Sequence, residues 1–244
     1  MSKTVKRGYV PNDEKEFYGE SVQKLYEAAK DLQYLLDRGY RIKGASVFIG
    51  NHYMLSERQR LALVRGVSSL EHTKARKQKE VTGSLSGKTV HIDGLNTIIT
   101  TEVALSGTVL LKGMDGSIRD LAALRGSYRL IDKTEQAVRL IGKYLEEKQA
   151  EKAIFYLDAP VSNSGRLKGH ILSWLSDMPF LVDVAVIHAV DTTLETLDCV
   201  MTGDAIILDK CKSWVNGNLW ILENLGKSPT LDFTFLYPQK EMRE

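Results

Sequence analysis

The chain has 244 residues, of which 43% are hydrophobic and 26% charged, with 5 prolines and a formal net charge of +2. That balance excludes an intrinsically disordered chain, and no apolar run approaches the roughly 18 residues needed to cross a bilayer. Two cysteines, Cys199 and Cys211, stand without a Cys or His pair at zinc-finger spacing, which excludes a disulfide framework and a structural zinc site.

The opening residues, 1–7, are polar and charged, so the expectation is a cytoplasmic protein of one large or two modest domains. Charge divides unevenly, +6 over residues 1–80 and −4 over 81–244. Such asymmetry fits a polyanion-facing segment joined to an acidic, cation-binding one, and it equally fits solvated surface charge.

From Val22, the apolar residues Leu25, Ala29, Leu32 and Leu36 recur at steps of three and four, which predicts a helix that Gly39 can end in a left-handed conformation. Residues 45–49 read as a short strand or a buried connector. Ser56 and Gln59 form a capping box that opens a helix through Leu61, Leu63 and Val64. The first 83 residues are therefore expected to be a basic, mainly helical domain. Its end is the run HTKARKQK at 72–79, whose Lys74, Arg76 and Lys77 are candidates for phosphate contact or simply a solvated helix end. The Gly/Ser content of VTGSLSG at 81–87 then places a boundary near residue 84.

Beyond it, residues 89–92, 153–157, 183–189 and 199–202 read as strands buried on both faces. Residues 135–144, preceded by an Asp132/Glu135 capping pair, and 167–175 have helical spacing. Alternation of this kind predicts an α/β domain over 84–244, a mainly parallel sheet flanked by helices. Asp115-Gly116 signals a turn, so 108–120 reads as a hairpin or an insertion, and the apolar tail as a further helix and an edge strand.

In open α/β sheets, ligands bind outside the carboxyl ends of the strands. Each of the four expected strands is followed there by an aspartate: Asp93, Asp158, Asp191 and Asp204, with Asp209 shortly after the last. Any one of these can be an ordinary helix cap or turn former. As a set they would repel one another unless a cation intervened, and oxygen ligands without clustered His or Cys favour Mg²⁺ or Mn²⁺. Ser164, Arg166 and Lys168 form a second candidate phosphate seat at an expected helix start. Arg125 and Arg129 are weaker candidates. The isolated histidines show no i, i+4 pair, and no Gly-x-Ser-x-Gly elbow is present.

The run VHIDGLNT at 90–97 resembles the opening motif of PIN-like domains, especially the NYN branch, in which an Asp ends strand one and an Asn follows. Residues 191–209 resemble that branch's later motif, an acid opening a helix and then a strand ending in Thr/Ser-x-Asp. The resemblance implies a Mg²⁺- or Mn²⁺-dependent RNA phosphodiesterase. Asp93, Asp191 and Asp204 would be catalytic metal ligands, with Asn96 and Thr202 orienting water or carboxylates by hydrogen bonding. Asp209 lies five residues past Asp204 where the pattern places its acid four past, and Asp158 has no counterpart in the motif. Residues 1–80 resemble an uncharacterised prokaryotic domain that accompanies such nucleases. RNA is then the expected partner, with no membrane, and assembly as a homo-oligomer stays open. The competing readings are a non-catalytic nucleic-acid-binding or regulatory module on the same fold and a small-molecule phosphohydrolase or nucleotide-binding enzyme on the same type of sheet. The phosphatase form of the latter is disfavoured because Leu95 stands where a second acid would be needed.

Overall fold

The computed structural model describes residues 5–122, 126–226 and 228–238. Five helices come first: α1 (Asp13–Glu16), α2 (Gly19–Leu36), α3 (Ile42–His52), α4 (Glu57–Gly66) and α5 (Leu70–Gln78). The α/β part follows as β1 (Thr89–Asp93), α6 (Gly94–Leu105), β2 (Leu110–Lys112), β3 (Ile118–Asp120), α7 (Thr134–Glu147) and β4 (Lys152–Asp158). It continues with α8 (Ser164–Trp174), β5 (Leu181–Ile187), α9 (Val190–Leu194), β6 (Val200–Met201), α10 (Ala205–Lys210), α11 (Gly217–Leu225) and β7 (Thr230–Asp232). Among the described residues no helix is long and apolar enough to cross a membrane.

The first helices obey their sequence signals. Leu25, Ala29 and Leu32 are fully buried along one stripe of α2, and Gly39 follows it at φ +81°. At α4 both bonds of the capping box form, Ser56 Oγ accepting from Gln59 N and Gln59 Oε1 accepting from Ser56 N. Residues 45–49 are neither strand nor connector but the middle of α3. Ala45 and Ile49, four apart, put one face inward, while Val47 and Phe48 point out at 54% and 64% exposure. The β-branched content of that short run concealed its helical period.

A four-stranded parallel sheet in the order β5-β4-β1-β6 is the centre of the α/β part, the mainly parallel, helix-flanked arrangement that strand and helix alternation predicts. The chain steps outward from β1 to β4 to β5 and then returns to the other side of β1. That reversal makes a switch point between β1 and β6, where the loops leaving neighbouring strands diverge and leave a crevice at their carboxyl ends. The core beneath is built from Val90, Ile92, Ala153, Phe155 and Leu157, sealed by Ile98, Ile141, Leu145 and Leu167 from the helices. Burial on both faces holds for β1 and much of β4 but not for β5, an edge strand whose first residue, Leu181, is 67% exposed.

Asp115-Gly116 does turn a hairpin, β2 pairing antiparallel with β3 while Gly113 N donates to Ser117 O. The tail strand β7 adds to the hairpin in parallel, giving a second sheet in the order β3-β2-β7. This small sheet has a structural consequence for the helices. Val109, Leu111, Met114, Leu121, Leu231 and Phe233 pack with Leu25, Leu32, Ala62 and Leu63 in one cluster, so the hydrophobic core of the first five helices is completed by residues far along the chain. Gly66 makes the closest approach, since a Cβ there would lie 2.4 Å from the Phe233 ring.

The Asp132/Glu135 cap is not formed at α7. Lys133 occupies the N-cap position and Thr134 Oγ1 accepts from Ile131 N instead, while the Asp132 carboxylate turns to Lys133 Nζ at 2.9 Å. His188 lies exposed just beyond β5 rather than within a strand.

Candidate functional site

A cleft of about 1210 Å³ opens between the helical layer and the carboxyl ends of the large sheet. Asp93, Asp158, Asp191, Asp204 and Asp209 all line it, as do Asn96 and, from the helical side, Arg41, Lys43 and Arg65. Aspartates as far apart in the chain as residues 93 and 204 therefore meet at the switch point, because parallel strands align their carboxyl ends on one edge of the sheet.

Asp93 ends β1 and occupies the N-cap position of α6, yet its carboxylate makes no capping bond. Its Oδ2 accepts instead from Thr202 Oγ1 at 2.7 Å, joining the loops after β1 and β6. The same hydroxyl accepts from Asp204 N at 3.0 Å, and Asn96 Oδ1 accepts from Gly203 N at 2.9 Å. Asp204 does cap, its Oδ1 accepting from Ile206 N and Ile207 N at the start of α10. The Thr202-Gly203-Asp204 turn is thus held from the β1–α6 side by two residues read from the sequence, Asp93 and Asn96.

A third restraint was not legible. Arg119 Nε, from β3, donates to Gly203 O at 2.8 Å. Gly203 sits so close to that strand that a Cβ would be 2.6 Å from Ile118 O. Nothing in the local pattern of 118–120 signals a bond to a residue so distant in the chain.

Five acids among the described residues are buried: Asp13, Asp93, Glu102, Asp115 and Asp120. Four have arginine partners, Asp13 with Arg58, Glu102 with Arg7, Asp115 with Arg76 and Arg119, and Asp120 with Arg65. Asp93, 6% exposed, has no cationic partner among the described residues. Its carboxyl is pushed up to about 7, chiefly by burial, with the charges of Asp191, Asp204 and Asp158 adding and the Thr202 hydrogen bond opposing. Asp191 is raised by burial and then by Asp204, Asp158 and Glu195, and Asp158 by burial. The field at this rim is negative, and among the described residues no side-chain cation pairs with Asp93 to offset it.

Divalent-ion chemistry fits that donor set in part. Among the described residues no three of His, Cys, Asp and Glu are gathered closely enough to hold a metal ion as the side chains stand. The acids share a cleft and a field rather than a finished cage. Mg²⁺ does not require one, since it commonly takes one or two carboxylates and completes its shell with water and phosphate oxygens. A buried carboxylate without a counter-charge is the group such an ion would neutralise.

Asp209 and Arg76 line the same cleft but are joined to each other in an ion pair. Arg76 is almost wholly buried and grips Asp209 through Nε at 2.6 Å and Asp115 through Nη1 at 2.8 Å. Burial works to raise Asp209, but Arg76 and His72 outweigh it and hold its carboxyl below the usual range. Asp209 thus faces α5, and the Arg76 guanidinium is already engaged by two carboxylates. Lys74 is exposed on the same helix, and Lys77 lies 5.5 Å over the Tyr237 ring. At the start of α8, Ser164 is buried with its hydroxyl donating to Asp158 O and Val161 O, while Arg166 is exposed and Lys168 half-buried. None of these three lines the cleft. Arg129 is exposed, its carbonyl accepting from Arg7 Nη2, and Arg125 lies outside the described residues.

Fold and site together define an α/β protein with an acidic crevice at the switch point of a parallel sheet, covered on one side by a basic helical layer. The chain belongs to the family described as "Domain of unknown function (DUF5616)", whose model matches residues 82–219, and residues 24–79 match a second, "Protein of unknown function (DUF434)". It is 32% identical over 185 residues to Uncharacterized protein MJ0935 of Methanocaldococcus jannaschii, spanning 75% of this chain and 88% of that protein. No solved structure matches the chain. Neither family carries a PIN or NYN label, so the PIN-like resemblance rests on the two motifs that raised it.

Proposed function

We propose that this protein is a Mg²⁺- or Mn²⁺-dependent ribonuclease of PIN-like type, acting on RNA in the cytoplasm. The observation that carries the reading is Asp93, the one buried acid among the described residues left without an arginine, set among Asp158, Asp191 and Asp204 at the head of a cleft. Asp93, Asp191 and Asp204, with Asp158 at the margin, would hold the ion. Once bound, such an ion supplies an activated water and neutralises charge at the phosphate under attack.

The protein's own contribution is placement. Thr202 holds Asp93 in one orientation through Oδ2, and Asn96 and Arg119 hold the backbone that carries Asp204. These bonds restrain Asp93 and Asp204, while the set as a whole would close only around an arriving cation and its phosphodiester. Arg41, Lys43 and Arg65 on the opposite wall offset the phosphate charge of the substrate.

A non-catalytic RNA-binding module is the second reading, favoured by the open spacing of the acids. Labelled single-stranded and structured RNAs incubated with Mg²⁺, Mn²⁺ or EDTA separate the two. The nuclease reading expects products with either ion, none in EDTA and none from Asp93→Asn. Wild-type protein that leaves varied RNAs intact with both ions overturns it.

A further inference from the structure

The helical wall of the cleft carries a feature that the acidic rim does not explain. Tyr40 is 60% exposed and lines the cleft, and Arg41 and Lys43 line it beside Tyr40, both exposed. Among the described residues no hydrogen bond or ion pair involves the side chain of any of these three; Ser46 Oγ donates only to the backbone carbonyl of Lys43. They sit where α2 gives way to α3, with Leu36, Ile42 and Val64 supplying apolar lining around them. Lys43 lies in the first turn of α3, and Arg41 occupies its N-cap without making a side-chain cap. Cations at a helix N-terminus are locally unfavourable against the dipole, so their position gives no gain to the free fold.

We propose that Tyr40, Arg41 and Lys43 form a nucleotide subsite for single-stranded RNA, the base stacked on the Tyr40 ring and its phosphate held by Arg41 and Lys43. This deepens the nuclease reading by naming its substrate form, and it rests on that reading for the strand's direction toward the aspartates. Three features of the cleft point to a single strand. An exposed aromatic ring beside unpaired cations is the combination that binds unstacked bases and tracks a backbone, whereas a duplex hides its base faces. The volume, about 1210 Å³, exceeds the roughly 300–1,000 Å³ usual for a small-molecule pocket, which suits more than one nucleotide. Charge also runs in the required sense, cations on the wall that meets the backbone and carboxylates at the far side where a cation is needed.

Fluorescence anisotropy with a labelled twelve-residue oligouridine in EDTA, where chemistry is off, tests the subsite apart from cleavage. Tyr40→Ala is expected to weaken binding about tenfold or more, as removal of one base stack does, while Tyr40→Phe binds like the wild type. The double variant R41A/K43A is expected to weaken binding and to lower the slope of log affinity against log salt by about 1.4, the change expected when two phosphates of a single strand are no longer neutralised. Because these side chains are exposed and unpartnered, all variants should melt like the parent, and Tyr40→Phe keeps the test interpretable if one does not. Binding that is unchanged in Tyr40→Ala and R41A/K43A overturns the subsite, whatever the cleavage assay gives, as does absence of oligouridine binding by the wild type. Tyr40-dependent binding by a protein that fails to cleave with either ion would sustain the subsite while removing the nuclease reading.

Discussion

Thr202 Oγ1 and Asp93 Oδ2 stand 2.7 Å apart, the hydroxyl donating, and that bond bridges the switch point of the sheet. It works against the burial and the neighbouring carboxylates that raise the Asp93 carboxyl to about 7. Replacing Thr202 with Val keeps the shape and deletes the donor. A hydrogen bond to a charged group contributes about 1.5–3 kcal/mol, so the acid limb of any metal-dependent activity should move to higher pH by about one to two units. A pH–rate profile reads this directly, with Thr202→Ser expected to restore the original limb. An unmoved limb in Thr202→Val would remove Asp93 as the group that sets it.

Asp93 also makes a stability prediction. Its folded value lies above that of an unfolded aspartate, near 3.8, so the folded protein retains a proton that the unfolded chain has lost. Stability tied to this group is fully present below about pH 4 and is lost as pH rises toward 7, to a limit on the order of 4 kcal/mol. In EDTA, Asp93→Asn should therefore melt higher than the wild type, by a margin that grows between pH 5 and pH 7 and then levels off. Added Mn²⁺ should raise the melting temperature of the wild type and leave the variant unmoved. Calorimetry across that range checks both.

Asp115 gives the opposite sign. Burial acts to raise it, but Arg119 and Arg76, with the Ser117 hydroxyl, outweigh burial and hold its carboxyl far below the normal range. Its contribution is present above about pH 4 and is lost as pH falls through its folded value. Asp115→Asn leaves two buried guanidinium groups without their shared anion, which costs about 3–5 kcal/mol at pH 7. Urea midpoints at pH 7 and pH 3 should show that difference shrinking in acid.

Phe233 is fully buried against Gly66 and meets Tyr26 edge-on at 5.8 Å between ring centroids. Phe233→Ala should cost about 3–5 kcal/mol. Since the ring ties the tail to the helical layer, hydrogen exchange should quicken in α2 and α4 before it does in β1 and β4. Uniform quickening would mean that the layer has no separate opening.

Much of the site was legible because a parallel sheet converts local order into spatial convergence. An acid at or within four residues of the end of a buried β-branched run is visible in sequence, and strand alignment then brings Asp93, Asp158, Asp191 and Asp204 to one edge. The capping box at Ser56 and the stripe on α2 were equally readable, since both depend on residues within a few turns of one another. Residues 45–49 misread because a five-residue apolar run carries too little period to separate helix from strand.

What the amino-acid order determined by itself was therefore the set of elements and the carboxylates at their ends, properties of short-range periodicity and backbone sterics. Tertiary structure alone decided which acids are neutralised. Arg76 claims both Asp115, 39 residues on, and Asp209, 133 residues on, while among the described residues no arginine pairs with Asp93. Charge pairing depends on distance through space, which falls off over a few ångströms and leaves no trace in spacing along the chain.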